Sequence, residues 1–193
     1  MKKQLEEFEN ILNKLYPNFV INFNAGMSEG DINQIITVNK LSLSNSLKDL
    51  YMWRNGIDIP ENSDILEQMI FPNGILFSLE EAIKHYKICA LEEKVWDEEF
   101  FPIFSSSYGD YVLIKQKTAT PFDEFLYIFS PALLVVEPTT IYDSLKTLIY
   151  SLEEGYKKGI FRRENGLLIR DNKSYYDFMK GRNPQSEYWK MEY

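Results

Sequence analysis

The stretch Leu47-Lys48-Asp49-Leu50-Tyr51-Met52-Trp53-Arg54-Asn55-Gly56 carries a clear helical pattern in the N-terminal half of the chain. Its apolar positions recur three and four residues apart, which predicts an amphipathic helix from about Ser44. The closing Asn-Gly pair favours a left-handed cap at the end of that helix, because glycine adopts this conformation without steric cost. We interpret Trp53 as a side chain that anchors the helix on a sheet, with one edge able to line a groove.

Helices and strands are predicted on both sides of this stretch. Residues 3–16 have helical spacing before Pro17 ends the pattern, and Ser28 and Ser78 each begin a helix as a cap. Short apolar runs separated by turn residues then indicate an antiparallel meander. Its predicted strands are Gly74–Ser78, Phe100–Phe104, Asp110–Lys115, Phe125–Phe129 and Ala132–Val136. The later predicted elements are a helix from about Thr140 to Lys158, a hairpin from Ile160 to Ile169 and a helix near Lys173–Lys180.

The order of these elements indicates an α+β fold. The length of 193 residues fits one domain over residues 1–193, with 45% hydrophobic residues to form its core. A net charge of −8 argues against nucleic acid and against an anionic membrane surface as partners, so a partner selected by charge is basic. The N-terminus resembles no secretory signal, no apolar run is long enough to span a bilayer, and Cys89 is the only cysteine. A cytoplasmic location is expected.

Catalytic and metal-binding patterns are weak. His85 is the only histidine and lies four residues before Cys89 on one predicted helix, where a buried pair is more common than a nucleophile and its base. One Cys and one His are too few for a zinc site, and no phosphate-binding glycine loop is present. We interpret Asp97-Glu98-Glu99 as a solvated loop rather than a cation site. A hydrolase that uses paired carboxylates remains a third possibility. We expect a protein without enzymatic activity, cofactor or bound metal.

Three motifs in this order resemble the SUKH superfamily, which joins a fungal cell-wall-assembly regulator with bacterial immunity proteins. They are Leu47–Gly56, Leu76-Phe77-Ser78-Leu79-Glu80-Glu81-Ala82, and Phe101-Pro102-Ile103 leading to Gly109-Asp110-Tyr111. The resemblance covers about residues 28–157 and leaves about 159–193 as an extension. It departs from the family at Leu43-Ser44-Asn45-Ser46, where a Leu-Pro is common. A second departure is Lys115, which stands where the family often has an acid.

The resemblance implies a mostly antiparallel mixed sheet flanked by helices, no established catalysis, and action by binding. Our first hypothesis is an immunity protein that neutralises a basic toxin, for example a nuclease. The expected contacts are the acidic residues Asp97, Glu98, Glu99 and Asp110 and the aromatic residues Trp53, Trp96 and Tyr108. The alternative is a regulatory or scaffolding module whose small-ligand or peptide groove is lined by Trp53, Tyr108 and Asp110. The oligomeric state stays open between a monomer and a weak dimer.

Overall fold

The structure is a computed structural model that describes residues 1–20, 22–61, 64–106, 109–116, 124–164 and 166–191. In this part, helices and short strands are mixed in the N-terminal half of the chain, and the strands between residues 100 and 142 then follow one another without an α-helix between them. The α-helices are α1 (Lys2–Leu15), α2 (Pro17–Val20), α3 (Glu29–Val38), α4 (Asn45–Trp53), α5 (Ile65–Gln68), α6 (Leu79–Tyr86), α7 (Leu145–Lys157) and α8 (Asn172–Arg182). A π-helical segment, Lys87–Glu92, continues α6, and 3-10 turns occupy Pro131–Leu133 and Tyr188–Lys190.

An antiparallel meander forms the main sheet. The strands are β1 (Phe23–Ala25), β2 (Arg54–Ile57), β3 (Ile75–Leu76), β4 (Phe100–Ser105), β5 (Tyr111–Lys115), β6 (Leu126–Ser130), β7 (Val135–Tyr142), β8 (Phe161–Glu164) and β9 (Leu167–Arg170). The main sheet has the order β3-β4-β5-β6-β7, so neighbours in sequence are neighbours in space. The pairs β1-β2 and β8-β9 are separate two-stranded ribbons. The α+β class is confirmed, and every pairing among the described strands is antiparallel.

The Asn-Gly pair does not cap α4, which corrects the sequence prediction. The helix ends at Trp53, and Arg54 is already extended, with φ −149°. The residues that follow α4 pair with β1 and form β2, so that Arg54 of β2 pairs with Ala25 of β1. Gly56 has φ +90°, and a Cβ there would lie 2.5 Å from the backbone nitrogen of Ser78. Glycine is therefore required because β2 passes close to the start of α6, not because a helix ends there.

Asn55 caps a helix that lies more than twenty residues further along the chain. Its Oδ1 accepts a hydrogen bond from the Leu79 backbone N–H at 2.8 Å. Ser78 forms the predicted capping box with Glu81, since each side chain binds the other residue's backbone N–H. Several of the free N–H groups at the start of α6 are thus satisfied by β2 and by Ser78 together.

The boundary between the last sheet strand and α7 also differs from the prediction. The predicted strand Ala132–Val136 is replaced at its start by the 3-10 turn, and Leu134 adopts φ +60° before β7 begins. Strand β7 then extends through Tyr142, which pairs with Leu126. Ile141 and Tyr142 are buried, and β-branched and aromatic residues favour such a position. Helix α7 begins only after its cap, Ser144.

Helices α1, α4 and α7 pack against one another beside the sheet. Leu5, Phe8 and Leu12 of α1 are fully buried and belong to the same hydrophobic core as the sheet residues. The C-terminal extension packs on this core as well. Trp189 is 1% exposed, and its Nε1 donates to the Ile141 carbonyl oxygen at 2.5 Å. The extension therefore contributes side chains to the core that the meander and helices build.

Candidate functional site

A densely charged surface lies between the π-helical segment and β4. We define it as the acidic loop, residues 91–99. It holds five carboxylates and one lysine in nine positions. The carboxylates belong to Glu92, Glu93, Asp97, Glu98 and Glu99. Two apolar side chains of the loop are also exposed, Leu91 by 39% and Val95 by 38%. The loop thus presents negative charge and apolar surface together.

Backbone hydrogen bonds hold the acidic loop in an unusual path. Glu93 N–H donates to the Ile88 carbonyl at 2.8 Å, a five-residue spacing typical of a π-helix, and Val95 N–H donates to the Cys89 carbonyl at 2.7 Å. Lys94 has φ +54°, a left-handed conformation that is uncommon for a residue with a side chain. Such π-helical turns and left-handed residues occur frequently at functional sites. The observed backbone therefore marks this loop as a candidate site.

The buried side chain of Trp96 anchors the acidic loop to the main sheet. It is 4% exposed, its Nε1 donates to the Phe100 carbonyl at 3.3 Å, and its ring lies 5.0 Å from Tyr111 and 5.4 Å from Phe129. The Trp96 side chain is therefore almost entirely buried in this structure. The exposed apolar contacts of the loop are Leu91 and Val95, which the sequence pattern did not single out.

The carboxylates of the loop differ in how far they are neutralised. Glu99 forms a salt bridge with Lys115 at 2.7 Å. Lys115, which stands where the family often has an acidic residue, thus balances one negative charge of the loop. The Asp97 carboxylate accepts the Glu99 backbone N–H at 3.0 Å. In the described part of the chain, Glu92, Glu93 and Glu98 form no salt bridge and lie exposed. Their charge is available to a basic partner. The acidic residues in the sequence extend back to Glu92. This signal could have identified Glu92 and Glu93 as further candidates.

Asp110 is separated from the acidic loop by the length of β5. Its carboxylate accepts hydrogen bonds from Ser106 Oγ at 2.8 Å and Ser130 Oγ at 2.5 Å, so it ties the ends of β4 and β6 together. Asp110 and Gln116 flank the strand, and Gln116 N–H bonds the Glu99 carbonyl at 2.7 Å. Six residues at ~3.3 Å each place Asp110 about 20 Å from the loop. The structure therefore does not join Asp110 to Asp97, Glu98 and Glu99 in one site.

Trp53 lies in a third environment, at the end of α4. Its Nε1 donates to Glu9 Oε2 at 2.6 Å, and its ring lies 4.9 Å from the ring of Phe23. Glu9 also pairs with Arg54. The half-buried Trp53 thus connects α4 to α1 and β1. Tyr108, the remaining aromatic candidate, lies outside the described residues.

His85 and Cys89 meet at the hydroxyl of Tyr111. His85 Nδ1 lies 3.1 Å from that oxygen, and the His85 ring stacks on Phe77 at 4.6 Å. Burial lowers the pKa of His85 and raises the pKa of the Cys89 thiol, whose hydrogen bond with Tyr111 opposes the rise. Burial also raises the pKa of Tyr111 to about 12. Near neutral pH the neutral forms of these three groups are thus favoured, whereas a cysteine nucleophile needs a lowered pKa.

No metal-binding site can be assigned in the described part of the chain. The described residues contain no group of three or more His, Cys, Asp and Glu side chains placed to hold a metal ion. Among the same residues, no helix has both the length and the apolar character required to cross a membrane. The acidic loop is therefore described by its charge and exposed apolar residues alone.

Comparison with known protein families found one family whose model matches the chain. The model of the SMI1 / KNR4 family (SUKH-1) matches residues 26–151, well over half of the chain. A search of curated proteins found no match. The matched residues include the acidic loop, Asp110 and Trp53, and they end within α7. The hairpin β8-β9, helix α8 and the tail around Trp189 lie beyond the matched region.

Proposed function

The chain belongs to the SMI1 / KNR4 family (SUKH-1), and we propose that it is a non-enzymatic, cytoplasmic immunity protein that neutralises a basic cognate toxin by direct binding. The observation that carries the proposal is the acidic loop, residues 91–99. Its exposed Glu92, Glu93 and Glu98 face solvent beside Leu91 and Val95.

The charge of the loop suits recognition of a basic surface. Complementary potentials accelerate encounter, and the net charge of −8 adds to the attraction. Contacts that set the dissociation rate need desolvated apolar area, which Leu91 and Val95 provide within the loop. The backbone bonds and the buried Trp96 hold the loop in shape, so that little conformational freedom is lost on binding.

The buried cluster around Tyr111 supports the non-enzymatic part of the proposal. A catalytic cysteine requires a thiolate and an adjacent base. Burial instead favours the neutral thiol of Cys89 and the neutral ring of His85. The cluster contacts Phe77 and Trp96 and is part of the packing between α6 and the sheet.

The regulatory or scaffolding alternative requires a groove lined jointly by Trp53, Tyr108 and Asp110. Trp53 contacts α1 and β1 through Glu9 and Phe23, whereas Asp110 contacts Ser106 and Ser130 at the sheet end. These different surroundings favour the immunity proposal over a groove that uses both residues.

The test uses the toxin encoded beside the gene. A variant with Glu92→Gln, Glu93→Gln, Asp97→Asn and Glu98→Gln is compared with the unmodified chain by surface plasmon resonance. We expect the association rate at low salt to fall by about tenfold or more, and its dependence on ionic strength to weaken, because exposed charges are screened beyond ~10 Å at 0.1 M salt.

The matched control removes the same number of exposed carboxylates elsewhere, through Glu6→Gln, Asp58→Asn, Glu61→Gln and Asp177→Asn. Equal loss of association in the control would locate the effect in net charge rather than in the loop. If the unmodified chain neither binds the neighbouring gene's product nor protects cells from it, the immunity proposal is wrong.

A further inference from the structure

A small cavity with polar and apolar walls lies between the family-matched region and the C-terminal extension. Its volume is about 180 Å³. The matched region contributes Asn73, Asp110 and Leu133 to the walls, and the extension contributes Arg170 and Tyr175. The volume is below the roughly 300–1,000 Å³ of pockets that hold drug-sized ligands. Any occupant is therefore smaller than a drug-sized ligand. It lies near one positively charged residue, Arg170, and one negatively charged residue, Asp110.

The Arg170 guanidinium is held in place on the cavity wall. It lies over the Tyr175 ring at 4.3 Å, and its Nη1 donates to the Pro72 carbonyl at 3.2 Å. A guanidinium carries five N–H donors, so most of them remain for another acceptor. In the described part of the chain Arg170 forms no ion pair with Asp110, although both line the cavity. Such a fork binds carboxylate and phosphate groups through two parallel hydrogen bonds, and of the two a carboxylate is the smaller group.

Tyr175 supports this guanidinium through its ring rather than through its hydroxyl. The residue is 6% exposed, and its hydroxyl lies against the hydroxyl of Tyr142. The Tyr142 hydroxyl donates to Asn73 Oδ1, so its oxygen remains able to accept from Tyr175. The aromatic face beside Arg170 thus holds the guanidinium at the cavity.

Asp110 adds a negative charge to the lining of the same cavity. Its two carboxylate oxygens accept one serine hydroxyl each. A carboxylate has about four acceptor sites, so this one retains capacity for a cationic donor. Ile128 and Leu133 line the cavity nearby and offer apolar surface.

We propose that this cavity binds a free α-amino acid with a small apolar side chain. The ligand carboxylate bonds Arg170, its ammonium group bonds Asp110, and its side chain packs on Ile128 and Leu133. A zwitterion satisfies both charged walls of a cavity too small for a larger molecule. The site is separate from the acidic loop, and the inference does not depend on the proposed immunity function.

The test is isothermal titration calorimetry of the full chain against each standard L-amino acid. We expect at least one small apolar amino acid to bind with one-to-one stoichiometry. Its N-acetyl derivative and its α-carboxamide are expected to bind about tenfold more weakly or worse, since each lacks one charge. The variants Arg170→Met and Asp110→Asn should weaken binding by a similar factor. Methionine preserves an apolar stem that can still cover Tyr175.

The matched control is Arg162→Met, which removes an exposed guanidinium from the same hairpin. It should leave the affinity unchanged, and thermal unfolding should show that all variants are folded. Three outcomes contradict the proposal: no L-amino acid binds the unmodified chain, Arg170→Met binds as tightly as the unmodified chain, or the blocked derivatives bind as well as the free amino acid. The last outcome would show that the site recognises neither charge of the amino acid.

Discussion

His85 contributes to the packing between α6 and β5 as a neutral ring. It stacks on Phe77 and approaches the Tyr111 hydroxyl, with Lys84 and Glu81 as the charged neighbours that act on it. Burial lowers its pKa most, the positive charge of Lys84 lowers it further, and Glu81 raises it. The folded state therefore binds a proton less readily at this position than the unfolded chain does.

This difference predicts the direction of a pH effect on stability. Because the folded-state pKa lies below the ordinary value of 6.5, the unfolded chain binds more protons as the pH falls through that value. The free energy of unfolding should be fully retained above about pH 7 and should decrease below pH 6.5.

Urea unfolding from pH 7.5 to 5.5 would measure this decrease. The chain has one histidine, so His85→Gln should flatten the profile over this range. An identical slope in the variant would assign the effect to other groups and would contradict the role of His85.

At the scale of elements, the contact between β2 and α6 explains the Asn-Gly pair. Asn55 provides an acceptor for the start of α6, and Gly56 allows the two backbones to approach. Both functions depend on a strand that forms only when β1 pairs with Arg54–Ile57. The pair therefore serves the junction of two elements rather than the end of one helix.

Gly56→Ala is predicted to be more destabilising than the same change at Gly159. Both residues have positive φ, +90° and +70°, and the left-handed conformation alone costs roughly 1–2 kcal/mol for a residue with a Cβ. At Gly56 the added Cβ would also meet backbone atoms of Ser78 at 2.5 and 2.9 Å, whereas nothing lies within 4 Å at Gly159. The total loss at Gly56 should reach about 3 kcal/mol or more.

Chemical denaturation of both variants provides the measurement, with Gly159→Ala as the matched control. Equal losses of stability would show that β2 can move away from α6 without cost. That result would contradict the close backbone contact as the reason for glycine at position 56.

At the scale of the whole molecule, the C-terminal extension closes one end of the core. Asp143, just after β7, receives a hydrogen bond from Ser186 Oγ at 2.8 Å and donates its backbone N–H to Asn183 Oδ1 at 3.1 Å. Trp189 is buried against Tyr142 and Tyr175. The extension therefore binds the last strand of the meander through polar contacts as well as through aromatic packing.

Trp189→Ala should destabilise the whole chain by about 3–5 kcal/mol, as is usual for a large buried aromatic residue. Urea unfolding followed both by circular dichroism and by fluorescence of Trp53 and Trp96 would show whether the transitions still coincide. Tyr150→Ala, at a 50% exposed position on α7, is the control and should change stability by about 0.5 kcal/mol or less. Loss of structure confined to the extension, with the sheet unaffected, would contradict this integration.

Local chemistry made many elements predictable. The helix over residues 3–16 and the caps at Ser28 and Ser78 depend on side chains within one or two turns, and each appears close to its expected position. The hairpin from Ile160 to Ile169 is likewise present as β8 and β9. Periodicity failed at Thr140–Tyr142, where pairing with β6 outweighed the helical pattern that follows. Strand pairing joins residues that are far apart in the sequence, so the local spacing of apolar residues cannot predict it.

The candidate site was only partly predictable for the same reason. A run of acids identifies the charge of residues 97–99, but burial decides that Trp96 anchors the loop while Leu91 and Val95 face solvent. Asp110 precedes β5, whereas the acidic loop lies near the opposite end of that strand, where Gln116 bonds Glu99. Arg170 reaches the Asp110 cavity through the fold of the extension, and no motif in the sequence marks that approach.

The sequence by itself determined the α+β class, the family, the acidic character and the starts of several helices. These follow from composition, side-chain period and capping groups, which act over a few residues. Only the tertiary structure decided which aromatic residues are buried, that Asn55-Gly56 serves α6, and that Asp110 lines a cavity with Arg170 instead of joining the acidic loop. Each of these outcomes depends on atoms far apart in the chain, whose proximity arises from burial of the common core and is invisible to local patterns.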